Sequence, residues 1–371
     1  MLHIVPFIYF EKGYEFLGST KDIDGRRQYL WQCGAPFDTF SHLKNQFRLA
    51  DELSFFELPG YTHIIVDLSV RAEDLAYLRK RWPTAKLIVR SHNPEVTHRL
   101  DHIRAAQKFD LPFAERKPVL ANLAIFFRRE RGVAKLANAV LHIETRNTAW
   151  YWRALGFRGE VLAAPYFTSD CYLNAIRKDR LRKKQITCVS SSHPGLLTAD
   201  MLANFHRAVE NLEGRRPDWA FCATGDPPAT IRRQDISPRV RHLGFVADIL
   251  SLLTESFAVA VTSDLGRGFK TKILEAIMCG AWVIVTPGLM KRMPEVLKPY
   301  CAVIDLKRPG DSLDRAIEEL SGREWPKGDP NTALREESFR ALDAAIFGQP
   351  ETIRAFAAIP ACETLSPRSA P

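Results

Sequence analysis

Residues 266–288 read GRGFKTKILEAIMCGAWVIVTPG. Gly266, Gly268, Lys270 and Lys272 open the stretch, and the run that follows places Ile273, Leu274, Ile277 and Met278 at helical spacing around one carboxylate, Glu275. Gly280 breaks that pattern, AWVIV reads as a short buried strand, and Pro287-Gly288 reads as a turn. Immediately upstream, FAVAVTSD (257–264) is another β-rich run. The spacing therefore predicts a strand–loop–helix–strand unit with parallel strands.

The same rhythm extends in both directions. Toward the C-terminus, CAVIDL (301–306) predicts a closing strand and DSLDRAIEEL a covering helix. Toward the N-terminus, strands are predicted at ITCVSSS (186–192), DWAFCATG (218–225) and RVRHLGFV (239–246), with helices between them. An earlier series has strands at YTHIIVDL (61–68), AKLIVRSHN (85–93), AVLHIET (139–145) and GEVLAAPYF (159–167), and a long helical region over about 115–138. MLHIVPFIYFEKG reads as a first buried strand, with no basic leader or small-residue cleavage site. The fold class is α/β, with two Rossmann-like doubly wound halves facing a cleft. The expected boundaries are an N-terminal domain at 1–167, a linker at 168–185 carrying six Lys/Arg, a second domain at 186–330, a terminal helix at 331–348 packing back on the first half, and a tail at 349–371.

Composition fits this reading. The chain has 371 residues, 46% hydrophobic and 26% charged, enough for two separate cores. Its longest apolar run, PVLANLAIFF (118–127), is too short to span a bilayer and meets RRER at once. Seven cysteines form no C-x-x-C pair and, being odd in number, no complete disulfide set, which points to free thiols and a reducing cytoplasm. The ten histidines show no metal-ligand spacing, so no metal is expected. A formal charge of +9 is either a solubility surplus or a match to an anionic partner, a nucleotide or a phospholipid surface. The basic clusters lack interleaved aromatics, which argues against nucleic acid.

In an open parallel sheet the ligand lies beyond the carboxyl ends of the strands. In the second half those ends carry SSSHPG (190–195), TGDPP (224–228), GFVAD (244–248) and SDLGRGFK (263–270). The last suits an anion best: glycines let backbone approach, a helix N-terminus follows, and Arg267, Lys270 and Lys272 add charge. Glu275, one turn further on, either aims at the ligand, as a carboxylate does toward vicinal ribose hydroxyls, or pairs with Lys272 or Lys270 on the helix surface.

These residues resemble the donor-site signature of GT-B glycosyltransferases, in particular the family 4 retaining group. The pattern appears as Leu274-Glu275-Ala276-Ile277-Met278-Cys279-Gly280 followed by Ala281-Trp282-Val283-Ile284-Val285-Thr286-Pro287-Gly288, with LGFVAD (243–248) and AFCATGDP upstream and IVRSHNPE (88–95) in the first half. The resemblance implies a nucleotide-sugar donor, held without a cofactor or metal. Glu275 would hold the ribose. Gly266, Arg267, Gly268, Phe269, Lys270 and Thr271 would cradle the diphosphate, with Lys270 and Lys272 supplying charge. Phe245 and Val246 would flank the base near Gly225, and His92 would face the transferred sugar. Where the family carries a second glutamate this chain has Arg267, and the 190–195 loop lacks the usual Arg or Lys. The implied activity is sugar transfer to a glycan or lipid-linked acceptor in cell-surface polysaccharide synthesis, in the cytoplasm and in peripheral contact with an anionic inner membrane through 115–138. The departures leave open a GT-B protein that binds a nucleotide-sugar or partner without transfer, and a sugar-nucleotide epimerase shares the fold.

Overall fold

The computed structural model describes residues 1–7, 18–43, 47–67, 71–143, 148–176, 181–190 and 195–348. The first half runs β1 (Leu2–Pro6), α1 (Gly18–Gln32), β2 (Asp38–His42), α2 (Leu49–Ser54), β3 (His63–Val66), α3 (Ala72–Arg81), β4 (Lys86–Ser91), α4 (Glu95–Lys108), α5 (Phe113–Leu136), β5 (Ala139–His142), α6 (Thr148–Ala154) and β6 (Glu160–Ala163). Its sheet has the order β2-β1-β3-β4-β5-β6, with every pairing parallel. After α7 (Asp170–Asn174), the second half runs β7 (Lys183–Cys188), α8 (Leu196–Glu210), β8 (Ala220–Ala223), β9 (Val240–His242), α9 (Ile249–Glu255), β10 (Ser256–Val261), α10 (Thr271–Met278), β11 (Trp282–Val285), α11 (Pro287–Arg292), β12 (Cys301–Val303), α12 (Pro309–Ser321) and α13 (Pro330–Phe347). Its sheet is also parallel, in the order β12-β11-β10-β7-β8-β9.

Each sheet reverses its strand order once, the first between β1 and β3 and the second between β7 and β10. At such a switch point the crossover helices leave to opposite faces and open a crevice beyond the strand ends. The central strands are buried on both faces, as β7, β10 and β11 show with Ile186, Val259, Ala260, Val283 and Ile284 all at 0% exposure. The predicted alternation is present, with trimmed strand ends: β12 closes after Val303, and β7 starts at Lys183 rather than 186. Two regions differ in kind. Pro287-Gly288 does not make a turn but begins α11, because Thr286 accepts from the Leu289 N–H at 3.4 Å as the cap and proline suits the first helical position. The stretch before residue 60 holds a helix, α1, that its sequence periodicity does not reveal.

α13 lies against β5 and β6, and its Phe339 ring meets Tyr29 of α1 edge-on at 5.1 Å and Phe167 at 5.4 Å. The Tyr29 hydroxyl donates to Asp343 at 2.6 Å. One apolar cluster consequently runs from α1 through Tyr166 and Phe167 into the second half. The described cysteines are free, and Cys188, Cys222, Cys279 and Cys301 are buried. No described helix is long and apolar enough to cross a membrane. Within the predicted linker, residues 177–180 lie outside the described residues, as do His193 with the rest of 191–194 and the tail at 349–371.

Candidate functional site

α10 starts at the mouth of the cleft and carries its buried face, Ile273, Leu274, Ala276 and Ile277, against the sheet. Glu275 sits among these buried positions at 7% exposure. Its partner is neither Lys270 nor Lys272. Instead the Lys21 ammonium, on α1 of the first half, lies 2.8 Å from Oε2. The Tyr166 hydroxyl reaches Oε1 at 3.4 Å, and the Phe269 ring packs on Tyr166 at 5.8 Å. Lys272 turns the other way and donates to the Val189 carbonyl, at the end of β7, at 2.6 Å. Burial pushes its ammonium below the usual lysine range.

The glycine loop is held against the first half. Gly266 and Gly268 have φ of +82° and +81°, a region that favours glycine. At Gly268 a Cβ would strike the Asn93 side chain and the His92 carbonyl, and at Gly266 it would lie 2.9 Å from the Lys270 ammonium and 3.6 Å from the His98 ring. α4 grips the loop from the other side. The Asp101 carboxylate accepts from the Gly266 N–H at 3.1 Å and lies 3.2 Å from Nε of Arg267, while His98 Nδ1 accepts from the Arg267 N–H at 3.0 Å. Burial first, then the charge of Lys270 and of the neighbouring basic groups, holds the His98 imidazole down at about 2, so it stays neutral and can accept. Lys108, at the far end of α4, extends the junction with a 2.5 Å ion pair to Asp200 on α8. From below, Arg292 of α11 donates to the Gly266 carbonyl at 2.8 Å and fixes the loop's base.

His92 stands just past β4, and its Nε2 lies 2.9 Å from Oδ2 of Asp22 on α1. Asp22 belongs to a buried charge network with Arg26 at 2.7 Å, Arg90 at 2.7 Å and, through Arg26, Asp67 and His3. Despite burial, the Arg26 and Arg90 guanidiniums hold the Asp22 carboxyl well below the usual carboxylate range, and Arg26 holds Asp67 at about 2. Asp22, Asp67 and His92 are close enough to share an ion. Arg26 and Arg90 already neutralise those carboxylates, so the donor set does not suit a resident cation.

At the other end of the cleft, Gly225 (φ +73°) and Gly244 bridge by a 2.7 Å hydrogen bond between the ends of β8 and β9. The Ser237 N–H donates to His206 Nδ1 at 3.2 Å, which leaves the His206 proton on Nε2 to meet His242 Nε2 at 3.0 Å. His242 then donates from Nδ1 to the Gly225 carbonyl at 2.8 Å. Next to this relay Phe245 is 84% exposed, with Val246 partly exposed beside it. Thr271 opens α10 against Gly18, whose Cβ would come within 2.8 Å of the threonine hydroxyl.

Gly268 meets His92 and Asn93, Phe269 meets Tyr166, Thr271 meets Gly18 and Glu275 meets Lys21, whereas Gly225, Phe245 and Val246 lie at the ends of β8 and β9 and Lys272 faces the end of β7. Lys21, Asp22, Arg26, Arg90, His98, Asp101 and Arg292 are absent from the sequence reading. Their signal is faint: Asp22 and Arg26 stand at i and i+4, and His98 and Asp101 at i and i+3, spacings shared by many ordinary surface pairs.

Residues 183–320 match the family described as glycosyl transferases group 1. The fold of the chain is that of GT-B glycosyltransferases. Sucrose-phosphate synthase from Thermosynechococcus elongatus superposes with a TM-score of 0.56 at 12% identity, over 94% of this chain and 96% of that one. Alr3699/HepE of Anabaena, in complex with UDP and glucose, gives 0.52 at 15% identity over 94% and 97%. WaaG, a glycosyltransferase involved in lipopolysaccharide biosynthesis, gives 0.52 at 12% identity over 94% and 97%. No curated protein matches the sequence at the same stringency. The matched segment lies in the second half, and the α1 and α4 contacts on the glycine loop come from outside it.

Proposed function

We propose that this protein is a glycosyltransferase that moves a sugar from a nucleotide-sugar to a glycan or lipid-linked acceptor, with retention of configuration and without a metal, in cell-surface polysaccharide synthesis. The observation that carries this reading is the approach of the glycine loop and α10, with buried Glu275, to the His92–Asn93 turn across the cleft. In such a transfer the bond between the sugar's anomeric carbon and the diphosphate breaks. A new bond forms to the acceptor oxygen, and the departing diphosphate takes up the negative charge. Lys270, Lys272 and the α10 N-terminus supply positive charge where that builds. His92, held by Asp22, is placed to hydrogen-bond a sugar or acceptor hydroxyl. Arg26 and Arg90 occupy the carboxylates that a divalent ion would need, which supports metal independence.

The UDP and glucose bound in the Anabaena structure make UDP-glucose the first compound to test. The experiment is donor hydrolysis and transfer across UDP-, GDP- and ADP-sugars with chelator present. Release of a nucleoside diphosphate from one donor supports the reading, and binding without turnover in every case sinks it. That second outcome belongs to a nucleotide-sugar binding protein, which the engagement of Gly266 and Arg267 by Asp101 favours.

The acceptor side of the proposal rests on α5. From Phe113 to Arg129 the helix has no buried residue, and Phe113, Leu120, Ile125 and Phe127 are exposed beside Arg116, Lys117, Arg128 and Arg131. Such a face suits the anionic surface of the inner membrane, with the protein otherwise in the cytoplasm. Co-sedimentation with phosphatidylglycerol vesicles but not phosphatidylcholine vesicles is the expected result, and equal recovery with both would refute it.

A further inference from the structure

The residue facing Glu275 comes from the other half of the molecule. Lys21 is 3% exposed and Glu275 7%, so both charges are out of water. Taking an ion pair out of water costs several kcal/mol per ion unless its geometry is held. Here the geometry is held on every side. Gly18, one turn before Lys21, abuts Thr271, the Tyr172 ring lies 5.2 Å from the Lys21 ammonium, and Tyr166 with Phe269 closes the remaining side. The pair engages Oε2, whereas Oε1 takes only the 3.4 Å contact from Tyr166 and keeps acceptor capacity for a further donor.

We propose that Lys21 is the positioning residue for the ribose-holding carboxylate, so that a side chain of the first half sets how the second half recognises the two ribose hydroxyls. This rests on the reading of Glu275 as the ribose clamp. Lys21 fixes one carboxylate oxygen, and the other is thereby aimed at the vicinal diol. The ribose would be read only when α1 and α10 are brought together.

The test compares a ribonucleoside diphosphate with its 2′-deoxy counterpart by isothermal titration on the full chain, taking whichever of UDP, GDP and ADP binds most tightly. The wild type should prefer the ribonucleotide on the order of tenfold, the scale of one hydrogen bond to a charged group. Glu275→Gln should bring that ratio close to one. Lys21→Met should do the same while leaving affinity for the deoxynucleotide unchanged, and Lys21→Arg should restore most of the preference. General loss of packing would weaken both nucleotides together and would not move the ratio. Lys21→Gln replaces the methionine variant if that chain fails to fold. A ratio retained in Lys21→Met or Lys21→Gln but lost in Glu275→Gln overturns the role of Lys21 alone. If the ratio is retained in Glu275→Gln, or none of the three diphosphates binds, the ribose-clamp reading fails and this inference fails with it.

Discussion

His92 and Asp22 meet at 2.9 Å across the base of the cleft, one residue along α1 from the lysine that pairs with Glu275. A single helix of the first half therefore touches both residues on which the functional reading depends. Because Asp22 also neutralises Arg26 and Arg90, it fixes the imidazole against a rigid, fully charged base.

Replacing His92 should separate chemistry from binding. His92→Gln is expected to reduce transfer by about 10- to 100-fold, the scale of losing one hydrogen bond to a sugar or acceptor hydroxyl, with nucleoside diphosphate affinity unchanged. Asp22→Asn should cost about 3–5 kcal/mol of stability, because it leaves buried guanidiniums short of charge. Steady-state kinetics and urea unfolding check the pair; full turnover in His92→Gln would remove this residue from the mechanism.

Lys272 should trade stability against turnover. Its ammonium is buried and donates to a carbonyl rather than to a carboxylate. Lys272→Met is expected to leave the melting temperature level or higher, since an apolar side chain of similar length fills the site without a buried charge. Turnover should fall about 10²–10³-fold if the ammonium meets the leaving diphosphate. A variant as active as the wild type would show the charge to be purely architectural.

Gly268→Ala probes the closeness of the two halves. With φ at +81° and the His92 carbonyl and Asn93 side chain in the way, the added methyl has no space. We expect a loss of about 1–3 kcal/mol together with faster proteolysis between the halves. Unchanged protection would mean that the loop and the His92–Asn93 turn do not hold this approach in solution.

Acid should weaken the fold through its histidines. Burial lowers His98 to about 2 and His102 and His206 to about 4, all below the ordinary value near 6.5. The unfolded chain binds those protons first, so the contribution is intact above pH 6.5 and is lost as pH falls from there toward 4 and below. Glu130 runs the other way: burial raises it to about 7, so its contribution is present below about 4.5 and is lost as pH rises through 7. Melting temperatures measured from pH 4 to 8 should fall less steeply with acid below about pH 6.5 in His98→Gln, and should lose less between about pH 4.5 and 7 in Glu130→Gln. Identical curves for the variants and the wild type would exclude both groups as the source.

The second half was legible because its strands are short apolar runs and α10 has a clean helical stripe. Glycine and proline punctuate the stretch, although the structure uses Pro287 to start a helix. α1 was not legible. GSTKDIDGRRQYLWQ mixes glycines, aspartates and arginines, and its buried charges read as surface residues until their partners from distant strands are known. For the same reason Glu275 could be placed at the ligand's edge but not given its partner. Lys21 lies 254 positions away in the sequence, beyond any local spacing rule. The grip of α4 on the glycine loop is equally non-local, joining Asp101 to a backbone N–H at residue 266.

α1 also depends on the other half of the molecule for its own support. Gly18 and Gly25 each lie where a Cβ would meet another segment, Thr271 in one case and the Phe167 ring at 3.0 Å in the other. With two glycines and two aspartates the helix has weak intrinsic propensity, so its persistence depends on what surrounds it. Those surroundings include α10 and α13, both of which lie far downstream in the chain. The helix that carries Lys21 and Asp22 therefore draws its support from segments of the other half that follow it by more than half the length of the chain.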